Sequence, residues 1–306
     1  MTIFGASFAR QARRASFARQ ARWASFARGK GQAKAGAAAA AMIALLAATG
    51  PALSESDLER LKRSGECAGC DLRLSELRGL TLERAQLAGA NLRETDLKEA
   101  SLIGANLAGA DLRRTELERT DLTGADLSKG SMRGVDLEKA ILTEASLAGA
   151  DLRNADMIET NLVGAGLQGA DLRQALLIRA NASGADFSKA KMEGVNLERA
   201  NLMSATFAGA RLPNADFDRV SAVGADFRDA DLTGAHFSSA DLTGANLSGA
   251  RLDGALMRRT RLVGADLSGA SGLDGARMVG ACGDATTKLP YGISLKTCSD
   301  MDDKDR

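Results

Sequence analysis

From residue 71 to residue 270 the chain repeats every five positions without a slip. Stretches such as NLRETDLKEASLIGANLAGA (91–110) and DLTGANLSGARLDGALMRRT (241–260) place a Leu, Phe or Met at nearly every fifth position, with a small residue, mostly Ala, two places before it. The central positions run from 72 to 267 in one register, which makes forty pentapeptides. A period of five matches neither the 3.6 residues of a helical turn nor the alternation of a flat strand. It predicts a solenoid, in which each repeat buries its apolar residue by stacking on its neighbours.

The motif Ala-(Asp/Asn)-Leu-x-x resembles the pentapeptide-repeat family, over about two thirds of the 306 residues. The resemblance implies an all-β fold, a right-handed quadrilateral parallel β-helix in which four pentapeptides make one square coil. The central residue and the small residue two places earlier then point inward. Forty pentapeptides give about ten coils, and at roughly 4.8 Å per coil the rod is on the order of 50 Å long. The small inward positions are Ala almost throughout, with Thr95, Thr115, Thr120, Val135, Val195 and Val220 among the exceptions. Large inward residues come late, as Phe187, Phe207, Phe217, Phe227 and Phe237. Ala182 and Ala222 precede Phe187 and Phe227 in the central column, the volume compensation that a close-packed interior demands. Gly104, Gly124, Gly164 and Gly244, at the second x, suit corners that need positive φ.

Residues 1–54 differ from the rest. They hold no Asp or Glu, eight bases, and an apolar run from Ala35 to Ala48 before Gly50-Pro51. This order reads as a secretory signal peptide with a basic extension, too short in its apolar part to span a membrane comfortably. A mitochondrial-type presequence is the alternative, since it too is Arg-rich and acid-poor. ASFARQAR occurs twice at a nine-residue spacing and starts a third time, so this segment also reads as an over-long start. Of the chain's 40 bases and 39 acids, removal of these residues leaves 32 bases against 39 acids. The remainder is mildly acidic, which argues against a nucleic-acid-binding surface.

Residues 55–66 predict a capping helix: Ser56-Asp57-Leu58-Glu59 has capping-box spacing and Gly65 supplies a stop. The solenoid occupies 67–281, and 282–306 form a C-terminal cap and a tail that should be disordered. Both ends resemble exported members of the same family, which open on CxxC-Asp-Leu and close on a Cys-flanked Thr-Thr-x-x-Pro-x-Gly loop. Here those elements are Cys67, Cys70, Asp71 and Leu72, and Cys282 to Cys298 around Thr286-Thr287-Lys288-Leu289-Pro290-Tyr291-Gly292. Four Cys allow three pairings. A rod of the implied length keeps the two ends apart, which favours Cys67–Cys70 and Cys282–Cys298 and excludes a four-Cys zinc site within one chain. A redox role for the CxxC lacks the thioredoxin-like unit it normally accompanies.

Chemistry is sparse. His236 is the one His and occupies an outward place, and no Ser-His-acid set can be assembled around it. No catalytic residue, metal or cofactor is assigned. With residues twenty apart stacked on one face, the first face carries Arg73, Arg93, Arg113, Arg133, Arg153 and Arg173 in one column. This is a candidate anion stripe, or else a ladder neutralised in place by Asp71, Asp111, Asp151 and Asp171. The second face alternates acid and base, as in Glu118-Arg119 and Glu138-Lys139. The third reads Ile103, Thr123, Thr143, Val163, Ser183, Met203, Val223, Thr243 and Val263, and the fourth is mostly Ala and Ser. At the two x positions the first two faces hold 25 charged residues in 40 places and the last two hold 7 in 40. Flat surfaces of small and β-branched residues mark interaction sites, although small residues also belong to this repeat. The expectation is a non-enzymatic scaffold, exported to a bacterial periplasm, that meets a protein, a polysaccharide or a second copy through the Ile103–Val263 column. The resemblance also raises a cytosolic DNA mimic that binds a type II topoisomerase, which needs a cytosolic location and a strongly acidic side. A third reading is an enzyme whose site the sequence does not display.

Overall fold

The computed structural model describes residues 56–273 and 278–298, all within the compact unit formed by Leu53–Arg306. The expected signal peptide and the C-terminal tail lie outside the described residues. None of the described helices is long and apolar enough to cross a membrane.

The first element, α1, runs Asp57–Ser64. Ser56 Oγ accepts from Glu59 N (3.2 Å), and Ser56 N donates to Glu59 Oε2 (3.3 Å), so the capping box closes. Gly65 ends the helix at φ 72 and donates to Leu61 O. Leu61 is buried, with Leu58 packed beside it, and this apolar side covers the start of the coil below. Asp57 Oδ2 accepts from Asp71 N (2.8 Å), satisfying a ladder donor that has no earlier coil to pair with.

From Glu66 to Ser271 the backbone forms parallel bridges between residues twenty apart, so four pentapeptides make one coil. Each repeat uses its backbone in the same way. Leu92 N donates to Asp111 O, Glu94 N to Arg113 O, and Asn91 N back to Cys70 O, while Thr95 N closes a turn on Leu92 O. The fifth donor is met by the side chain before the central residue: Arg93 N, Lys98 N and Ala108 N donate to Asn91, Asp96 and Asn106 Oδ1. Asp and Asn recur in the motif because their short side chains reach the amide two residues on. The second x takes positive φ, the requirement of a type II turn at its third residue, whether it is Gly124 (φ 63) or Arg114 (φ 57).

The core is the inward pair of columns. Central residues from Leu87 to Leu267 are fully buried, and so are the small residues two places before them. Where Thr replaces Ala, its hydroxyl finds a carbonyl: Thr95 Oγ1 donates to Leu72 O (2.8 Å) and Thr260 Oγ1 to Phe237 O (2.8 Å). Phe187, Phe207 and Phe227 stack at 4.9 and 4.8 Å on the fourth face. Phe217 and Phe237 stack at 4.7 Å on the opposite, second face and meet the first set edge-on at 5.6 to 6.2 Å.

The C-terminal cap continues the ladder with longer steps. Arg261 pairs with Cys282 and Asp266 with Lys288. Two short parallel strands follow, β1 (Cys282–Gly283) and β2 (Lys296–Thr297). Disulfides join Cys67 to Cys70 and Cys282 to Cys298, and there are no free cysteines.

Candidate interaction faces

On the first face the six arginines fall into two groups. Arg73, Arg113, Arg153 and Arg173 each fold back on the Asp two places earlier in a two-point pair. Arg73 Nε and Nη2 lie 2.8 and 2.6 Å from the Asp71 oxygens, and Arg173 lies 2.8 and 2.7 Å from those of Asp171. The hydrogen bond from its own arginine holds each of Asp71, Asp111, Asp151 and Asp171 below the usual carboxylate range. Arg93 and Arg133 follow Asn91 and Ser131, and neither makes an ion pair among the described residues. An open groove of about 460 Å3 lies at the start of this column, lined by Asp71, Arg73, Leu74, Arg93 and Glu94.

On the second face most pairs run from coil to coil, while Lys139–Glu138 and Arg199–Glu198 close within one repeat. Lys98 Nζ reaches Glu116 at 2.8 Å, Arg119 reaches Glu99 at 3.2 Å, and Arg219 reaches Glu198 at 2.9 Å. The hydrogen bond to Glu116 raises the Lys98 ammonium above its ordinary value. Asp156 moves the other way for a carboxyl, raised by burial, with Asp136 and Glu138 adding repulsion. His236 is exposed in the same column as Asp216 and Leu256. Among the described residues no group of three or more His, Cys, Asp or Glu side chains could hold a metal ion.

The third face has no ion pair among the described residues. Its carboxylates bond inside the face: Asp121 and Asp241 accept from the hydroxyls of Thr123 and Thr243 at 2.6 Å. Ile103 and Met203 are 38% and 44% exposed, while Thr123, Thr143, Val163, Val223, Thr243 and Val263 are half-buried along the same column. Glycines beside them, such as Gly124 and Gly244, leave open space at the adjoining corner. Ile141, in the neighbouring column, is also 38% exposed and extends the apolar part of this face. A search along the x positions misses it, because it stands where the repeat normally places Asp or Asn; that substitution is itself the signal. The fourth face is small and polar, interrupted by the Arg228–Asp226 pair (2.6 Å).

The solenoid matches the family model "Pentapeptide repeats" in eight copies, over residues 90–129, 100–138, 130–167, 165–202, 200–238 and 235–271. Among solved structures, the chain is similar to HetL, a pentapeptide repeat protein involved in heterocyst differentiation regulation in Nostoc sp. strain PCC 7120. Identity is 32%, over 76% of this chain and 98% of that one, with a TM-score of 0.33. It is 31% identical to a pentapeptide repeat protein of the Arabidopsis thaliana thylakoid lumen, over 31% of this chain and 68% of that one, at a TM-score of 0.26. The plasmid-mediated fluoroquinolone resistance protein QnrB1 is 18% identical over 59% of this chain and 91% of its own, at a TM-score of 0.35. No curated protein matches the chain. With the family model spanning more than half of the sequence in the register that builds the coils, the chain belongs to the pentapeptide-repeat family.

Proposed function

We propose that the protein is an exported, non-enzymatic interaction scaffold of the cell envelope, a ten-coil right-handed β-helix in the bacterial periplasm. It engages a protein partner or a second copy of itself through the third face. One contrast carries this reading: the ion pairs of the coils lie on the first and second faces, with Arg228–Asp226 and Lys288–Asp266 on the fourth, whereas Ile103, Ile141 and Met203 stand exposed on a third face with none among the described residues. Covering such a face strips water from few charges, so its desolvation costs little. Disulfides at both ends suit an oxidising compartment. Membership of a family of generally non-enzymatic scaffolds supports a role without catalysis. The topoisomerase-mimic reading gains no support from the second face, where Arg78 and Lys98 counter Asp96 and Glu116 in the acid column.

The test places a photo-crosslinking residue at Val163 or Met203 on the third face, and at Glu138 or Arg179 on the second, in the native host. Adducts of one size from the third-face positions alone support the scaffold. Equal adducts from both faces, or none from either, would count against it. Intact mass of the same protein with and without reductant tests export: a start near Glu55 and four protected thiols are expected, and a full-length chain with free thiols would refute it.

A further inference from the structure

The Arg column of the first face is closed in four coils and open in two. Arg73, Arg113, Arg153 and Arg173 are each clamped by the Asp two places before. Asn91 and Ser131 stand in that place for Arg93 and Arg133. Both open guanidinium groups act on the Asp of the next coil, Asp111 and Asp151, through space alone. The Nε of Arg93 is covered and has no acceptor. In the groove beside it, Asp71 is bound to Arg73 and Glu94 to Arg114, which leaves Arg93 as the lining charge without a counter-ion. Leu74 forms the groove's apolar wall at 72% exposure.

Arg93 and Arg133 lie two coils apart, roughly 9.6 Å at the strand spacing. Between them sits the closed pair Asp111–Arg113, neutral in sum, which offers no free cation to a third negative charge at the midpoint. We infer that Arg93 and Arg133 form a two-point site for a linear acidic polysaccharide that carries a carboxylate on every second sugar. The neutral sugar of each disaccharide lies over Asp111–Arg113, and a ring at the N-terminal end packs its C–H face on Leu74. A charge-dense polyanion fits poorly. Nucleic acid carries a charge at far shorter intervals than two coils, so its intervening phosphates would lie over the closed pair Asp111–Arg113 with no free cation to meet them. This site is on a different face from the proposed partner surface and stands or falls separately from it.

The test is titration calorimetry of the full chain at low salt with hyaluronan oligosaccharides, in which glucuronate alternates with N-acetylglucosamine. Oligogalacturonate, charged on every sugar, and a single-stranded oligonucleotide serve as comparators. Hyaluronan oligosaccharide should bind tightest. R93Q and R133Q should each weaken it by roughly two- to five-fold, the scale of one exposed ion pair. The double variant N91D/S131D keeps both arginines but gives each the clamp found in the other coils, and should remove binding with the circular dichroism unchanged. R228Q on the fourth face should leave binding intact. All these proteins share the eight bases of residues 1–54, so the differences report on the first face. Absence of hyaluronan binding, undiminished binding by N91D/S131D, or tighter binding of either comparator would overturn the assignment.

Discussion

The two ends of the solenoid face the same physical problem and meet it with different chemistry. Each end exposes an apolar coil interior and a row of backbone groups that would pair with another chain. At the N-terminal end a regular helix lies over the opening, with Leu61 buried and a single carboxylate, Asp57, receiving the Asp71 amide. At the C-terminal end there is no α-helix among the described residues, and an irregular loop does the same work with polar contacts. Asp284 Oδ1 accepts from Gly264 N (3.1 Å), Thr286 N (3.0 Å), Thr286 Oγ1 (2.7 Å) and Thr287 N (3.1 Å). Thr287 Oγ1 reaches Leu262 O at 2.8 Å, the contact that inward Thr residues make throughout the coils. One disulfide spans a sequence separation of 3 and the other a separation of 16. The N-terminal cap therefore rests mainly on apolar burial and the C-terminal cap on a covalent loop and a buttressed carboxylate.

If that contrast is right, the two ends should fail under different insults. The largest expected effect is Leu61→Ala, which leaves a cavity under α1 at a cost of roughly 2–5 kcal/mol. Because each coil contacts only its immediate neighbours, the loss should be local. Hydrogen exchange at Gln86 and Asn91, whose amides bind Gly65 and Cys70 carbonyls, should accelerate while Leu247 stays protected. Uniform acceleration along the rod would show instead that the helix sets global stability. Next comes the disulfide comparison. By loop-closure entropy the C282S/C298S variant should lose about 3 kcal/mol and C67S/C70S about 2 kcal/mol. A larger loss at the N-terminal pair would mean that Cys67 and Cys70 matter as buried packing, not as a cross-link. Smaller still, Ser56→Ala removes the helix cap and should cost about 1 kcal/mol, read at the same amides as Leu61→Ala.

How much of this was legible in the sequence follows from what five-residue periodicity encodes. The period and the repeated small residue identify which side chains go inward, and Phe187 to Phe237 are buried where the register puts them. The helix is written in Ser56, Glu59 and Gly65, because capping is a local interaction. Three features are less accessible. The Asp and Asn before each central residue look like solvated polar positions, yet Asp96 and Asn106 complete the backbone ladder, which is evident once the unpaired amide of the first x is located. Glycine at the second x signals a left-handed corner, but Leu74, Arg84 and Glu94 adopt it as well, at φ between 55 and 58, so the ladder overrides local preference. The hub at Asp284 depends on Gly264 and Leu262, some twenty residues away, and no local motif predicts it. Among the faces, the split of the Arg column into closed and open members follows from Asp, Asn or Ser two places earlier. The exposed Ile141 becomes apparent by reading the column usually occupied by Asp.

The smallest effect appears in acid, and it sharpens the comparison because it should touch one end first. Asp284 is held down to about 2 by its hydrogen bond from Thr286, with backbone donors adding to it, and Asp266 to about 2 by the hydrogen bond from Lys288. Both values lie below the ordinary 3.8, so these carboxylates stabilise the fold when ionised. Their contribution is complete above about pH 5 and is lost as pH falls through 3.8 toward 2. Exchange at Gly264 and Leu267, corrected for the intrinsic rate, should rise over that window, while Leu147 in the middle coils changes less. Asp284→Asn keeps an oxygen acceptor at the hub but cannot titrate. It should therefore be somewhat weaker at neutral pH and nearly flat in acid at Gly264. If Gly264 stays as protected at pH 2.5 as at pH 6 in the unmodified chain, the C-terminal cap is held by its disulfide and the carboxylate hub is incidental.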